Sequence, residues 1–258
     1  MKYRIFSDFH NESRRYVMGK KYTPWYPEPM EDDLETILIL AGDTDHAKQV
    51  PEYLNTLAPL FKAVIHVSGN HEFYGSNLTS CGNKFKEAVL ADNVYHLENQ
   101  VITIEGQKFV GCTMWTNLQG REWFVQQQMN DYKQIRLGGP SYRKLTPMDT
   151  TYIHLESQQF LHNNVCKDTI VITHHSPLSP GNSSIGGYNP YGRQPSDTDY
   201  AYHACQEEFI MEAKPKAWIS GHTHEVSDNQ FFDTRLIVNC IGYCGEEGEY
   251  QEGVFNIA

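Results

Sequence analysis

Short β-branched or apolar runs recur along this chain with longer amphipathic or irregular segments between them, an alternation that points to an α/β architecture. The runs expected as strands are Tyr3–Ser7, Thr36–Leu40, Ala63–Ser68, Val94–Leu97, Val101–Ile104, Lys108–Thr113, Thr169–Thr173, Ala217–Ser220, Gln230–Phe232, Thr234–Cys240 and Gly253–Ile257. Helices are expected over Pro51–Lys62, Leu78–Ala91, Met148–Asn163 and Tyr202–Ala213. Glu105-Gly106-Gln107 has hairpin-type turn chemistry between two of the runs, so part of the sheet is expected to be antiparallel. The stretches from Asn11 to Asp33 and from Ser176 to Asp199 are rich in turn residues and aromatics; both read as long loops, which in a compact domain usually serve function.

A chain of 258 residues can bury a full core and is expected to form one domain. With 40% hydrophobic and 21% charged residues it has the composition of a folded soluble protein. A net charge of -11 argues against non-specific attraction to nucleic acid or an anionic membrane. The longest strongly apolar segment, Ile37 to Ala41, suits one buried strand and is far too short to cross a bilayer. Met1 to Ser7 runs straight into a strand-like run with no room for a signal peptide, so a cytoplasmic location is expected. The six cysteines show no C-x-x-C spacing and are expected to be reduced; Cys240 and Cys244 are the only pair close in sequence.

Five polar clusters each follow an expected strand: Asp8-Phe9-His10, Gly42-Asp43, Gly69-Asn70-His71-Glu72, His174-His175 and Gly221-His222-Thr223-His224. Ligand sites in open α/β sheets gather at the carboxyl ends of strands, so clusters far apart in sequence converge there. Carboxylates, one amide oxygen and several imidazoles make a mixed oxygen and nitrogen donor set, suited to Mn²⁺, Fe, Zn²⁺, Co²⁺ or Ni²⁺ and poorly to Ca²⁺. Seven candidates, Asp8, His10, Asp43, Asn70, His174, His222 and His224, exceed the three or four protein groups one catalytic ion takes, so two ions are expected. Asp43, alone on its loop, is the natural bridge between them. His46, His66, His96, His154, His162 and His203, isolated from such motifs, are read as surface or packing residues.

Asp-x-His, Gly-Asp, Gly-Asn-His-Glu, a later His and Gly-His-x-His, in that order from residue 8 to residue 224, resemble the motif set of the calcineurin-like metallophosphoesterases. The resemblance implies a sandwich of two mixed β-sheets flanked by helices, with the metals at the strand carboxyl ends. It implies that Asp8, His10 and His224 hold one metal, that Asn70, His174 and His222 hold the other, and that Asp43 bridges. His174 is preferred to His175 because the family's ligand is usually the first of that pair. His71 becomes the catalytic residue that protonates the leaving oxygen or stabilises charge on the phosphoryl group, a role commonly worth about 10²–10⁴-fold in rate. Gly111 to Asn117, Met129 to Tyr132 and Leu145-Thr146-Pro147 resemble a bacterial and phage-borne subgroup of the family.

Two ions about 3.5–4 Å apart would lower the pKa of a shared water and fix an in-line geometry. The expected reaction is therefore hydrolysis of a phosphate ester by direct attack of a metal-bridging hydroxide. A small phosphodiester, nucleotide-based or otherwise, is the expected substrate; a monoesterase, a nuclease with the same dinuclear site, and a non-catalytic scaffold are the alternatives. Arg14, Arg15, Lys20 and Lys21 with Tyr16, Tyr22, Trp25 and Tyr26 place positive charge and rings after the first motif, either to bind a nucleotide or to pack against the body. Arg193, with Tyr188, Tyr191 and Tyr200, invites the same reading. Asp45 and Glu72 either orient ligands or are solvated, and Asn117 and Asp131 either cap loops or reach the pocket.

Overall fold

A computed structural model describes residues 1–139, 142–181, 194–246 and 249–257. Among the described residues, eleven strands form two mixed sheets. The first, ordered β11-β1-β2-β3-β4, contains β1 (Lys2–Phe6), β2 (Thr36–Leu40), β3 (Ala63–His66), β4 (Val94–His96) and β11 (Phe255–Asn256). The second, ordered β5-β6-β7-β8-β10-β9, contains β5 (Gln100–Ile104), β6 (Gln107–Cys112), β7 (Thr169–Thr173), β8 (Ala217–Ser220), β9 (Val226–Phe231) and β10 (Thr234–Asn239). β1 to β4 run parallel, as do β6, β7, β8 and β10; β11, β5 and β9 are antiparallel edges. The β5–β6 hairpin turns through Glu105 and Gly106, at φ 48° and 82°, the pair of left-handed residues that a two-residue turn of this hand needs.

Because side chains alternate across a strand, each continuous apolar run serves two cores. Ile5, Ile37, Ile39 and Ile65 face Phe109, Ile170, Ile172 and Ile219 of the second sheet. Phe6, Leu38, Leu40 and Val64 point the other way, beneath α2 (Val50–Leu57) and α3 (Leu78–Glu87). On the far side, Val110, Val171 and Trp218 pack under α6 (Pro147–Asn164) and α7 (Glu207–Ala213), through Leu161, Phe209 and Ile210. α4 (Glu122–Gln128) and α5 (Asp131–Gln134) lie between β6 and α6 in the chain. Among the described residues, no helix is long and apolar enough to cross a membrane.

Two expectations are corrected here. The stretch from Asn11 to Asp33 is not all loop, for α1 (Asn11–Met18) starts directly after the first motif. Its N-cap, His10, sits at φ 44° and gives no side-chain cap, so the usual start signal is missing from the sequence. The helix expected from Tyr202 begins only at Glu207, because His203 bridges Ser176, Ala204 N–H donates to the Ser176 carbonyl, and Cys205 turns at φ 53°.

Candidate metal centre

Each of the five polar clusters stands where a parallel strand ends, and backbone hydrogen bonds stitch their loops together. The amides of Asp8 and His10 donate to the carbonyls of Gly42 and Asp43, both at 3.0 Å. Across the two sheets, the His222 amide donates to the Asp8 carboxylate at 2.9 Å, and His174 Nδ1 donates to the Ala41 carbonyl at 2.9 Å. The motif glycines permit this crowding: a Cβ on Gly69 would overlap Asp43 Oδ1, and one on Gly221 would lie 2.6 Å from Asp8 Oδ2. Asp8, His10, Asp43, His222 and His224 all have positive φ, which turns these side chains inward at a cost of about 1–2 kcal/mol each.

The donor atoms fall into two sets joined by Asp43. His174 Nε2 lies 3.0 Å from His222 Nδ1, 3.1 Å from Asn70 Oδ1 and 3.4 Å from Asp43 Oδ1. His10 Nε2 lies 3.0 Å from His224 Nε2 and 3.9 Å from Asp43 Oδ2, and His224 Nε2 is 3.7 Å from Asp8 Oδ1. Asp8, Asp43, His174 and His222 offer atoms that all fall within 4.8 Å of one another, as do Asp8, His10 and His224. Two ligands at right angles, each about 2.1 Å from one ion, stand about 3 Å apart, so this spacing suits a cation. With Nδ1 donating to Ala41, His174 Nε2 needs a proton or a cation to face the Asn70 and Asp43 oxygens. His175 lies outside these groups; its Nδ1 is turned to the Thr113 carbonyl, 3.2 Å away, and its ring sits against Trp115.

Around the cluster, buried side chains fix the ligands. Glu72, fully buried, accepts the amides of Asp43 (3.1 Å), Thr44 (2.8 Å) and Gly69 (2.7 Å), clasping the loops after β2 and β3. Asp131 accepts Asn70 Nδ2 at 2.7 Å, which turns the amide oxygen of Asn70 toward His174. Glu12 Oε1 lies 3.2 Å from His10 Nδ1 and 2.8 Å from His71 Nδ1. Cys240 donates its thiol to Asp8 Oδ2 at 3.0 Å; all six cysteines are free thiols. The Tyr243 ring stacks on His10 at 4.1 Å, with its hydroxyl 3.2 Å from His71 Nε2.

Burial pushes the Asp43 carboxyl up, yet the imidazoles of His174, His71 and His10 outweigh it and hold the group well below the carboxylate range. Burial opposes charge on His71, but Asp43 and Glu12 raise it to about 9. Burial likewise opposes the Glu12 carboxylate, which His10 and His71 bring down to about 2. Burial and the neighbouring His174 push His175 down to about 3.

The cluster floors a cleft of about 480 Å³, walled by Tyr74, Met129 and Asn130 and by Tyr202, Thr223 and Tyr243. That volume suits a small molecule. Arg14 and Arg15 do not line it, contrary to expectation, because α1 carries them off. Arg14 Nε donates to the Phe9 carbonyl at 2.7 Å, and Arg15 pairs with Asp45 at 2.5 Å, which spends Asp45 there too. Trp25 packs against Phe9 and Phe6, and Tyr26 stacks on Tyr53. Asn117 is engaged by Gln119 beside it. Arg193, Tyr188 and Tyr191 lie outside the described residues, while Tyr200 lies under the Arg121 guanidinium. Glu12, Tyr243 and Cys240 escaped sequence reasoning as lone residues outside any motif. The one available signal was Glu12 two positions beyond His10.

The calcineurin-like phosphoesterase family profile matches residues 1–226. An uncharacterized protein of Acanthamoeba polyphaga mimivirus is 25% identical over 268 aligned residues, covering 96% of this chain and 93% of its own. The fold is that of phosphopantetheinyl hydrolase from Mycobacterium tuberculosis, at 16% identity and a TM-score of 0.62 over 95% of this chain and 90% of that one. With the profile spanning all five motifs, this chain belongs to the calcineurin-like phosphoesterase family and is a metal-dependent phosphoester hydrolase.

Proposed function

We propose that the chain hydrolyses a small phosphodiester, nucleotide-based diesters included, at two divalent ions, with manganese the first to test among the ions this mixed oxygen and nitrogen donor set takes. Asp8, His10 and His224 would hold one ion and Asn70, His174 and His222 the other, with Asp43 placed between the two sets. The observation that carries this reading is the Asp43 carboxylate, whose Oδ1 faces His174 at 3.4 Å while its Oδ2 faces His10 at 3.9 Å. When bound, the ions supply Lewis acidity toward the phosphoryl oxygens and toward water.

The remaining chemistry falls to the protein. His71, tethered at Nδ1 by Glu12, presents Nε2 beside Asp43 Oδ2 and the Tyr243 hydroxyl and holds a proton there for the leaving oxygen. Tyr243 and Tyr202 cover the rings of His10 and His222 and keep water from them. Among its described lining residues the cleft has no Lys or Arg, and Asp199 and Glu225 stand on its wall. A diester carries one negative charge, whereas a monoester near neutral pH approaches two and would find, among the described lining residues, only the ions and the protonated His71 to balance it. Antiparallel pairing of β11 on β1 supports a single domain from end to end of this sequence.

Steady-state hydrolysis of bis(p-nitrophenyl) phosphate and p-nitrophenyl phosphate in Mn²⁺ tests the reading. The diester is expected to show at least tenfold higher kcat/KM, and Asp43→Asn to lose more than the about 10–100-fold that outer residues cost. Faster turnover of the monoester, or activity surviving in Asp43→Asn, overturns it.

A further inference from the structure

The segment after β10 is pinned along the first motif: the Ile241 amide donates to the Ser7 carbonyl at 3.0 Å and the Gly242 amide to the Asp8 carbonyl at 2.9 Å. Gly242 turns there at φ 88°, a left-handed conformation that favours glycine. The turn lays the Tyr243 ring on His10, 4.1 Å away with 19° between the planes, and against His224 at 4.9 Å. The half-buried ring holds its hydroxyl 3.2 Å from His71 Nε2, on the wall of the cleft.

Glu12 Oε1 accepts from His71 Nδ1 at 2.8 Å, so that nitrogen carries a proton. His71 Nε2 faces Asp43 Oδ2 at 3.9 Å, too far for a hydrogen bond, and Tyr243 Oη is its one hydrogen-bond partner among the described residues. With a carboxylate on either side the ring stays protonated at both nitrogens, so Nε2–H donates to Tyr243 Oη. A phenol oxygen carries one proton of its own, and Tyr243, accepting from Nε2–H, must direct that proton away from His71. Burial and the Asp43 and Glu12 carboxylates push the phenol above its ordinary value, so it keeps the proton until another replaces it. Tyr74, by contrast, stacks on His71 at 4.2 Å but gives its hydroxyl to Asp131 at 2.8 Å.

We infer that Tyr243 is a catalytic residue of the phosphoester hydrolysis: its hydroxyl gives its proton to the leaving oxygen and is reprotonated from His71 Nε2. The step rests on His71 as the holder of the proton, the role proposed for it at the metal centre. As the bond between phosphorus and the leaving oxygen breaks, its electron pair stays on that oxygen, which takes the Tyr243 proton. Oη takes the Nε2 proton in the same step, and His71 is left neutral with its Nδ1 proton on Glu12. The water that supplies the new phosphorus–oxygen bond gives one proton to solvent and His71 regains one, so each turnover balances. The more basic the leaving oxygen, the more the step needs this proton.

The test is steady-state hydrolysis, by the full chain in Mn²⁺, of methyl p-nitrophenyl phosphate against methyl phenyl phosphate, and of p-nitrophenyl phosphate against phenyl phosphate. Phenoxide is the more basic leaving group in each pair, and a comparison within one pair is independent of any preference for diesters. Tyr243→Phe, which keeps the ring on His10, is expected to lower kcat at least tenfold more for the phenyl ester than for the nitrophenyl ester, and to lower kcat more than it changes KM. His71→Asn is expected to discriminate in the same way, with the double variant discriminating no further, because the two groups act in series. Equal losses of Tyr243→Phe on both esters overturn the inference; if His71→Asn still discriminates, its proton reaches the ester directly, and if neither does, the role of His71 falls as well. A double variant that discriminates more than either single variant also overturns it, since the two groups would then act independently.

Discussion

Glu12 joins a proposed metal ligand to the proposed proton donor through one carboxylate oxygen, so its charge fixes both rings at their Nδ1 atoms. Carboxylates behind ligating histidines typically contribute 10–100-fold to metal affinity. Glu12→Gln is accordingly expected to weaken Mn²⁺ binding by about that factor and to lower kcat more than it changes KM; unchanged affinity in a metal titration would exclude the role. At this scale the sequence was legible wherever residues stood in short motifs after a strand. It was silent on Glu12, Tyr243 and Cys240, whose place is set by contacts across the fold. It misled on Arg14 and Arg15, where charge density beside a motif said nothing of the direction in which α1 points them.

Among the elements, α6 is the most fully specified by local chemistry. Thr146 and Asp149 form a reciprocal capping box, Pro147 stands at the first turn, and Arg143 pairs with Asp149 at 2.6 Å. The Arg143 guanidinium, together with Thr146, holds the Asp149 carboxyl down at about 2 despite partial burial. A depressed folded pKa adds stability that is present above the unfolded value near 4 and is lost as pH falls through about 2. Arg143 is half exposed, so solvent screening limits the whole device to about 1 kcal/mol. Asp149→Asn should therefore lower the unfolding free energy measured in urea at pH 6 by that amount and converge on wild type as pH drops from about 4 to 2; a gap that persists at low pH would show that charge is not its source. Ten of the strands among the described residues fell close to their expected positions, since period and β-branching report burial directly; β9, expected over Gln230–Phe232, begins four residues earlier at Val226, in a largely exposed polar run that gives no such signal. α1 did not, having no cap residue to announce it.

Over the whole molecule, the metal cluster sits on the seam of two sheets, and the seam is closed by segments remote in sequence. Phe255 of β11 is buried between the sheets and pairs across to Tyr3. Phe255→Ala is expected to cost about 3–5 kcal/mol in urea unfolding and to weaken metal binding with it, because β1 carries Asp8; unfolding unchanged within 1 kcal/mol would mean the seam does not depend on β11. Sheet order was beyond sequence reasoning, since periodicity reveals a strand but not its neighbour. The bridge from Ser7 to Cys240 shows what that neighbour choice entails. The two residues are 233 positions apart, and a ribosome adding about 5–20 residues each second needs roughly 10–50 s to span them. For most of that interval a nascent chain holds Asp8, His10, Asp43 and Asn70 without the two histidines that follow β8. The proposed ligand set is thus complete only late in synthesis, once His222 and His224 have been added to Asp8, His10, Asp43 and Asn70.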